Sequence, residues 1–353
     1  MEMDNRGTKM NTFKNNKAYS DGILAIGPCV SNKHQVTGQS MMFQLIVDSL
    51  KERGHSIQIV DILGKSKNSQ SRSGVFSWAR VWDYLNIIPD SLKKMFEKNK
   101  ILYITTAQSK YGFFRDVAII LPASIMKKTI IVHQFGANYK GFYDKQSSLI
   151  KFFIRYVLSK AFKIIVEGEY VKVQFSFLNN YKSKVVAVPN GLPERTTKYA
   201  KVHKNYNRHE PFRILYLSNL IESKGFWDVL EAVRILINER GKNIKCVFAG
   251  KFIISSDSKL FTDADTAKKE FFNIINKNNL QEHISYFEGL YNEEKSKVFM
   301  DSHIFILPSN YINEGQPVSI LEAMAYGTPV IATDYRLIPS MVINNETGFF
   351  VKY

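Results

Sequence analysis

Residues 307–331 read LPSNYINEGQPVSILEAMAYGTPVI. The run opens on apolar residues, breaks into a polar loop at Pro308, and takes up helical spacing after Pro317. Gly327 and Pro329 stop the helix, and Val330-Ile331 begins another apolar run. Strand, tight loop, helix, glycine and strand make one βαβ unit, because parallel neighbours need a crossover helix.

The same alternation runs outward from this stretch. Residues 213–217, 244–249, 284–287, 303–307 and 329–332 are predicted strands, with helices at 225–240, 265–278, 293–301 and 319–326. Towards the N-terminus, 22–27, 56–60, 101–105, 129–133, 163–166 and 184–188 read as strands. Residues 38–53 read as a helix with Met42, Leu45, Ile46 and Leu50 on one face. The polar, proline-flanked segment 194–211 interrupts the pattern and is the expected linker. The fold class is α/β: two successive Rossmann-like domains facing each other across a cleft, where ligands bind at the carboxyl ends of the strands. Residues 1–20 are polar and expected to be a disordered lead-in. Residues 21–200 form the first domain and 201–353 the second.

Charge divides along the same line. The chain carries +16 at pH 7, and residues 1–200 hold 30 Lys and Arg against 14 Asp and Glu. Residues 201–353 hold 18 of each sign, so the whole excess lies in residues 1–200. Such a field attracts anionic lipid, phosphate or nucleic acid. No helix-turn-helix, zinc or aromatic stacking motif accompanies it, which argues against nucleic acid. No apolar run reaches the ~20 residues that span a bilayer. Segment 147–166 mixes Phe152, Phe153, Tyr156 and Phe162 with Lys151, Arg155, Lys160 and Lys163. It reads as a crossover helix with one buried face or as a helix lying in a membrane interface, with the balance towards the first. Cys29 and Cys246 form no disulfide framework, which fits a reducing compartment.

The chemistry concentrates in the opening stretch. Glu314 falls in the loop and Glu322 about two turns into the following helix. The loop-to-helix junction offers free N–H groups and a positive dipole end to a phosphate. A loop carboxylate can accept hydrogen bonds from sugar hydroxyls, and one on the helix can accept a ribose diol.

Glu314 and Glu322, with seven residues between them, resemble the E-x7-E signature of glycosyltransferase family 4, retaining enzymes with the two-domain GT-B fold. Ser218-Asn219-Leu220-Ile221-Glu222-Ser223-Lys224-Gly225 resembles the family's lysine loop, and Val188-Pro189-Asn190-Gly191 its interdomain turn. Phe248-Ala249-Gly250 and Phe287-Glu288-Gly289 resemble its strand-end glycines. The resemblance implies that Glu314 holds the donor sugar, Glu322 the nucleotide ribose, and Lys224 the diphosphate. It implies that Gly315, Gln316, Val318 and Ser319 cradle sugar and phosphate, with Pro317 lacking an N–H to give. Asn219 and Gly250 would line the donor site, Gly38 would let backbone approach the diphosphate, and His133 would stand near the donor sugar.

Two departures stand out. Asn219 occupies a position where the family often has an arginine, so the leaving group depends more on Lys224 and helix ends. The sequence stops at Phe349-Phe350-Val351-Lys352-Tyr353, before the helix with which the family usually crosses back to its first domain. The expectation is a glycosyltransferase that moves a sugar from a nucleotide-sugar donor, without a metal or other cofactor, to a lipid-linked or saccharide acceptor. It is expected in bacterial surface polysaccharide biosynthesis, cytoplasmic and peripheral on the inner face of an anionic membrane. A non-catalytic scaffold of the same fold is the alternative.

Overall fold

The structure is a computed structural model that describes residues 22–30, 37–63, 78–192, 204 and 206–352. The predicted lead-in 1–20 and most of the predicted linker lie outside the described residues.

The first domain runs β1 (Gly22–Gly27), α1 (Gly38–Glu52), β2 (Ile57–Asp61), α2 (Trp78–Met95), β3 (Asn99–Thr106), α3 (Lys110–Ile125), β4 (Thr129–Gln134), α4 (Tyr139–Asp144), α5 (Ser148–Ser159), β5 (Lys163–Val166), α6 (Tyr181–Lys184) and β6 (Val185–Ala187). The second runs β7 (Phe212–Leu217), α7 (Phe226–Arg234), β8 (Ile244–Ala249), α8 (Ala264–Lys277), β9 (Ile284–Phe287), α9 (Asn292–Asp301), β10 (Ile304–Leu307), α10 (Val318–Ala325), β11 (Val330–Thr333) and β12 (Gly348–Val351). The strand orders are β2-β1-β3-β4-β5-β6 and β12-β11-β10-β7-β8-β9, and the paired strands are parallel. Each sheet has one point where the strand order reverses, β1/β3 in the first and β7/β10 in the second. A crevice opens above such a point because the two following loops leave in opposite directions.

The strands are apolar on both faces because helices cover both sides. β1 is buried along its whole length. The large cores, one per sheet, are rich in aromatic residues in the second domain, where Phe226, Phe248, Phe252 and Phe271 pack together.

Helix α1 shows how local chemistry sets an element. Thr37 accepts the Ser40 N–H at 3.1 Å and donates its own N–H to the Ser40 hydroxyl at 2.9 Å, a capping box that fixes where the helix begins. The predicted single apolar face is in fact divided. Phe43 and Val47, with Ile46 and Leu50 beside them, pack on β1 and β3. Met42 and Leu45 turn instead to the domain junction, meeting Phe135 of the first domain and Val318 of the second.

The domains also interlock. Leu337, after β11, is fully buried in the first domain's core, against Gly168. Arg336 Nη1 donates to Ala137 O at 2.8 Å, and Asn138 Nδ2 to Asn313 Oδ1 at 3.1 Å.

Candidate active site

The β7/β10 reversal positions the two strongest sequence candidates. The loop after β7 makes a short helical turn, Glu222–Lys224, and ends at Gly225 with φ +75. A Cβ there would stand 2.6 Å from Pro308 O, so only glycine lets the loops after β7 and β10 touch. Asn310 N–H donates to Ser223 O at 2.8 Å and ties them further. Lys224 Nζ thereby lies 3.3 Å from Glu314 Oε2 and 5.3 Å from the centre of the Tyr311 ring. The Ser309 hydroxyl donates to the same oxygen, Oε2.

Glu322 sits one turn into α10, not two, because the helix starts at Val318. It reaches α9, where Lys295 Nζ lies 2.6 Å from Oε1. Both carboxylates are buried and each is neutralised by its own lysine. Lys295 was not legible as a site residue, since a lysine in a polar helical stretch reads as a solvated face.

These groups line a cleft of about 1370 Å³ between the domains. Gly38, Gly136, Glu167 and Asn190 face it from the first domain. Asn219, Gly250, Lys295, Glu322 and the run from Glu314 to Ser319 face it from the second. The N-termini of α1 and α10 meet there: a Cβ on Gly38 would rest 3.4 Å from Val318 Cγ2. The first N–H groups of a helix have no intrahelical acceptor, so two positive dipole ends converge on the cleft. Gly250 has φ +144, and a Cβ on it would fall 1.9 Å from Ser218 O, so glycine is what lets the loop after β8 reach the β7 loop. Pro317 caps α10. The Gln316 N–H is turned to Glu167 Oε2, at 3.3 Å, and its side-chain Oε1 accepts the Asn190 N–H at 2.6 Å. Among the described residues, no group of three or more His, Cys, Asp or Glu is placed to hold a metal ion.

His133 is not brought to the cleft. It lies inside β4, in register with Thr105 on one side and Ile165 on the other, and is 2% exposed. Its Nδ1 is 2.7 Å from Tyr103 Oη, and its ring stacks beneath Phe135 at 4.0 Å. Burial pushes the imidazole down to about 3. The strand runs one residue beyond the predicted end, to Gln134, and Phe135 lines the cleft instead.

Sequence reasoning missed Glu167. It follows β5, is buried, and contacts both domains. Burial, with the charge of Glu314 nearby, pushes its carboxyl up to about 7. One acidic residue before a glycine carries no mark that separates it from a solvated loop glutamate.

Two facing Rossmann-like domains, each a parallel six-stranded sheet, make the arrangement of the GT-B fold. Residues 199–353 match the family model for glycosyl transferases group 1. Over 146 residues it is 32% identical to the amylovoran biosynthesis glycosyltransferase AmsK of Erwinia amylovora, covering 40% of this chain and 32% of that protein. Over 283 residues it is 24% identical to the capsular polysaccharide biosynthesis glycosyltransferase CapM of Staphylococcus aureus, covering 74% of this chain and 67% of that one. The match thus spans about a third of the first relative's length and two thirds of the second's. The fold is shared with sucrose-phosphate synthase from Thermosynechococcus elongatus, with a TM-score of 0.65 and 15% identity over 94% of this chain and 86% of that one.

Proposed function

We propose that the cleft binds a nucleotide-sugar donor. The chain transfers the sugar, with retention of configuration, to a lipid-linked or saccharide acceptor in bacterial surface polysaccharide biosynthesis. The observation that carries this is the placement of Lys224 and Glu314 at the β7/β10 reversal, beside the N-terminus of α10. The names of AmsK and CapM, both polysaccharide biosynthesis glycosyltransferases, support the acceptor class.

Each residue has a chemical task. The Glu314 carboxylate oxygens accept hydrogen bonds, which suits a ring of sugar hydroxyls. Glu322 accepts from the ribose diol. Lys224 has three N–H donors, so it can keep Glu314 and hold a phosphate oxygen together. As the bond from the sugar C1 to the diphosphate breaks, negative charge grows on the leaving oxygen, where Lys224 and the end of α10 meet it. In this scheme no metal is needed. The acceptor oxygen bonds to C1 on the face the diphosphate leaves, and the hydroxyl proton passes to the departing phosphate.

We place the chain peripherally on the inner face of the membrane, where a lipid-linked acceptor lies. The basic first domain supports this, as does α5. Its Ile154, Val157 and Leu158 face the core, while Leu149, Phe152, Phe153 and Tyr156 stand exposed on the outer side. The crossover helix has both an inward face and an aromatic outer one. No described helix is long and apolar enough to cross a bilayer.

Transfer from a nucleotide-sugar pool tests the site. Glu314→Ala and Lys224→Ala each lower turnover by about a hundredfold or more while the protein stays folded. Wild-type turnover in either variant refutes the assignment.

A further inference from the structure

Glu167 accepts three hydrogen bonds from three separate segments. Its Oε2 takes the Gly136 N–H (2.8 Å) and the Gln316 N–H (3.3 Å), and its Oε1 takes Asn190 Nδ2 (2.8 Å). Gly136 lies just past β4, Asn190 on the stretch leaving β6, and Gln316 in the second domain's Glu314 loop. Asn190 Nδ2 also donates to Gln316 O at 3.0 Å. Two glycines let the backbones close on this carboxylate. A Cβ on Gly315 would stand 1.9 Å from Glu167 Oε2 and 2.9 Å from Gly136 Cα. One on Gly136, where φ is +83, would stand 2.6 Å from Asn313 O.

A buried carboxylate is a costly way to join two loops, because its charge loses water. The groups that favour its charge are these N–H donors, none of them a cation. A carboxylate differs from an amide in accepting on both oxygens with no N–H of its own. All three partners are donors, so a glutamate satisfies every one and a glutamine cannot.

Resting on the glycosyltransferase reading of the cleft, we propose that Glu167 is a positioning residue. It locks the Glu314 loop against the first domain, so that Glu314 and the acceptor side of the cleft keep one spacing during transfer. It works through Gly136, Gly315 and Gln316, not on the reacting atoms. Donor affinity, which the second domain supplies, does not depend on it.

Glu167→Gln tests this in the full chain. The variant keeps the shape but sets an NH2 group against either Asn190 Nδ2 or the two backbone N–H groups. Amide exchange at Gly136 and Gln316 then quickens, while β3 and β7 keep wild-type protection. The donor-induced rise in melting temperature stays as in wild type, and kcat falls by about ten- to a hundredfold, as expected for a misplaced group. The exchange measurement needs neither donor nor turnover, so it separates failure of this inference from failure of the proposed function. Wild-type exchange at Gly136 and Gln316 overturns the proposal, as does wild-type kcat. A loss of donor affinity equal to the loss of kcat also overturns it, because Glu167 would then belong to the donor site. If Glu167→Gln does not fold, Gly315→Ala reads the same contact from the other side. Its added methyl presses on Glu167, so combining it with Glu167→Ser gives exchange at Gln316 no faster than Glu167→Ser alone. Additive effects overturn the proposal.

Discussion

Lys224 and Glu314 lie 3.3 Å apart with side chains only 14% and 6% exposed, so each needs the other when the cleft is empty. Removing one partner of a buried pair strands the other charge, at a cost of about 3 kcal/mol or more. Lys224→Ala therefore lowers stability as well as turnover, and urea unfolding of the variant measures the first effect separately. In the proposed function, a diphosphate would give Lys224 a second anion beside Glu314. His133 governs a different property. Its imidazole is pushed from 6.5 to about 3, so the unfolded chain binds more protons than the folded one between those values. Stability then rises with pH through that window and is lost as pH falls through it, by on the order of 5 kcal/mol in total. Glu167 acts in the opposite sense: its carboxyl is raised from 4.5 to about 7, so stability is lost as pH rises towards 7. His133→Gln isolates the first effect. Its unfolding free energy loses less than wild type's on acidification from about pH 6.5 to pH 4. Parallel pH curves for the two proteins contradict the assignment.

Among elements, strands and crossover helices were legible because their apolar runs are bounded by glycine, proline and polar loops. β1, β5, β8 and β9 fall on the expected residues, and the other expected strands shift by one or two at an end, as hydrogen bonding with neighbours dictates. The Glu314 loop was legible because glycine, proline and a carboxylate cluster before a helix. What sequence could not give was orientation. Whether residue 133 or 135 lines the cleft turns on the exact end of β4, because the cleft lies beyond the carboxyl ends of the strands and a residue still inside the strand stays in the sheet. The partner of Glu322 needed the packing of α9 on α10, which no local pattern encodes. The outward face of α5 was half legible, since its aromatic residues were visible but their side of the helix was not. Phe152 stacks on Tyr156 there, and Lys160 Nζ lies 4.5 Å from the Tyr156 ring centre. Binding to anionic vesicles is expected, falling with salt. Phe152→Ser with Phe153→Ser weakens it while changing stability by less than about 0.5 kcal/mol, as for exposed positions. Equal binding to neutral and anionic vesicles contradicts the membrane placement.

At the scale of the molecule, charge and chemistry are divided between the domains. The first brings the basic surface, and the second brings both lysine–carboxylate pairs. Leu337 and Arg336 reach from the second domain into the first, so the junction is packed and hydrogen-bonded beside the Glu314 loop. The central claim is that this junction leaves a cleft made for a nucleotide-activated sugar. Melting temperature against a panel of nucleotide sugars tests it most directly, since a ligand at about a hundred times its Kd adds about 2.7 kcal/mol to the native state. The account predicts that one or a few nucleotide sugars raise the melting temperature of the wild type, and that the rise is lost in Lys224→Ala. No rise with any nucleotide sugar, or the same rise in Lys224→Ala as in wild type, would contradict it.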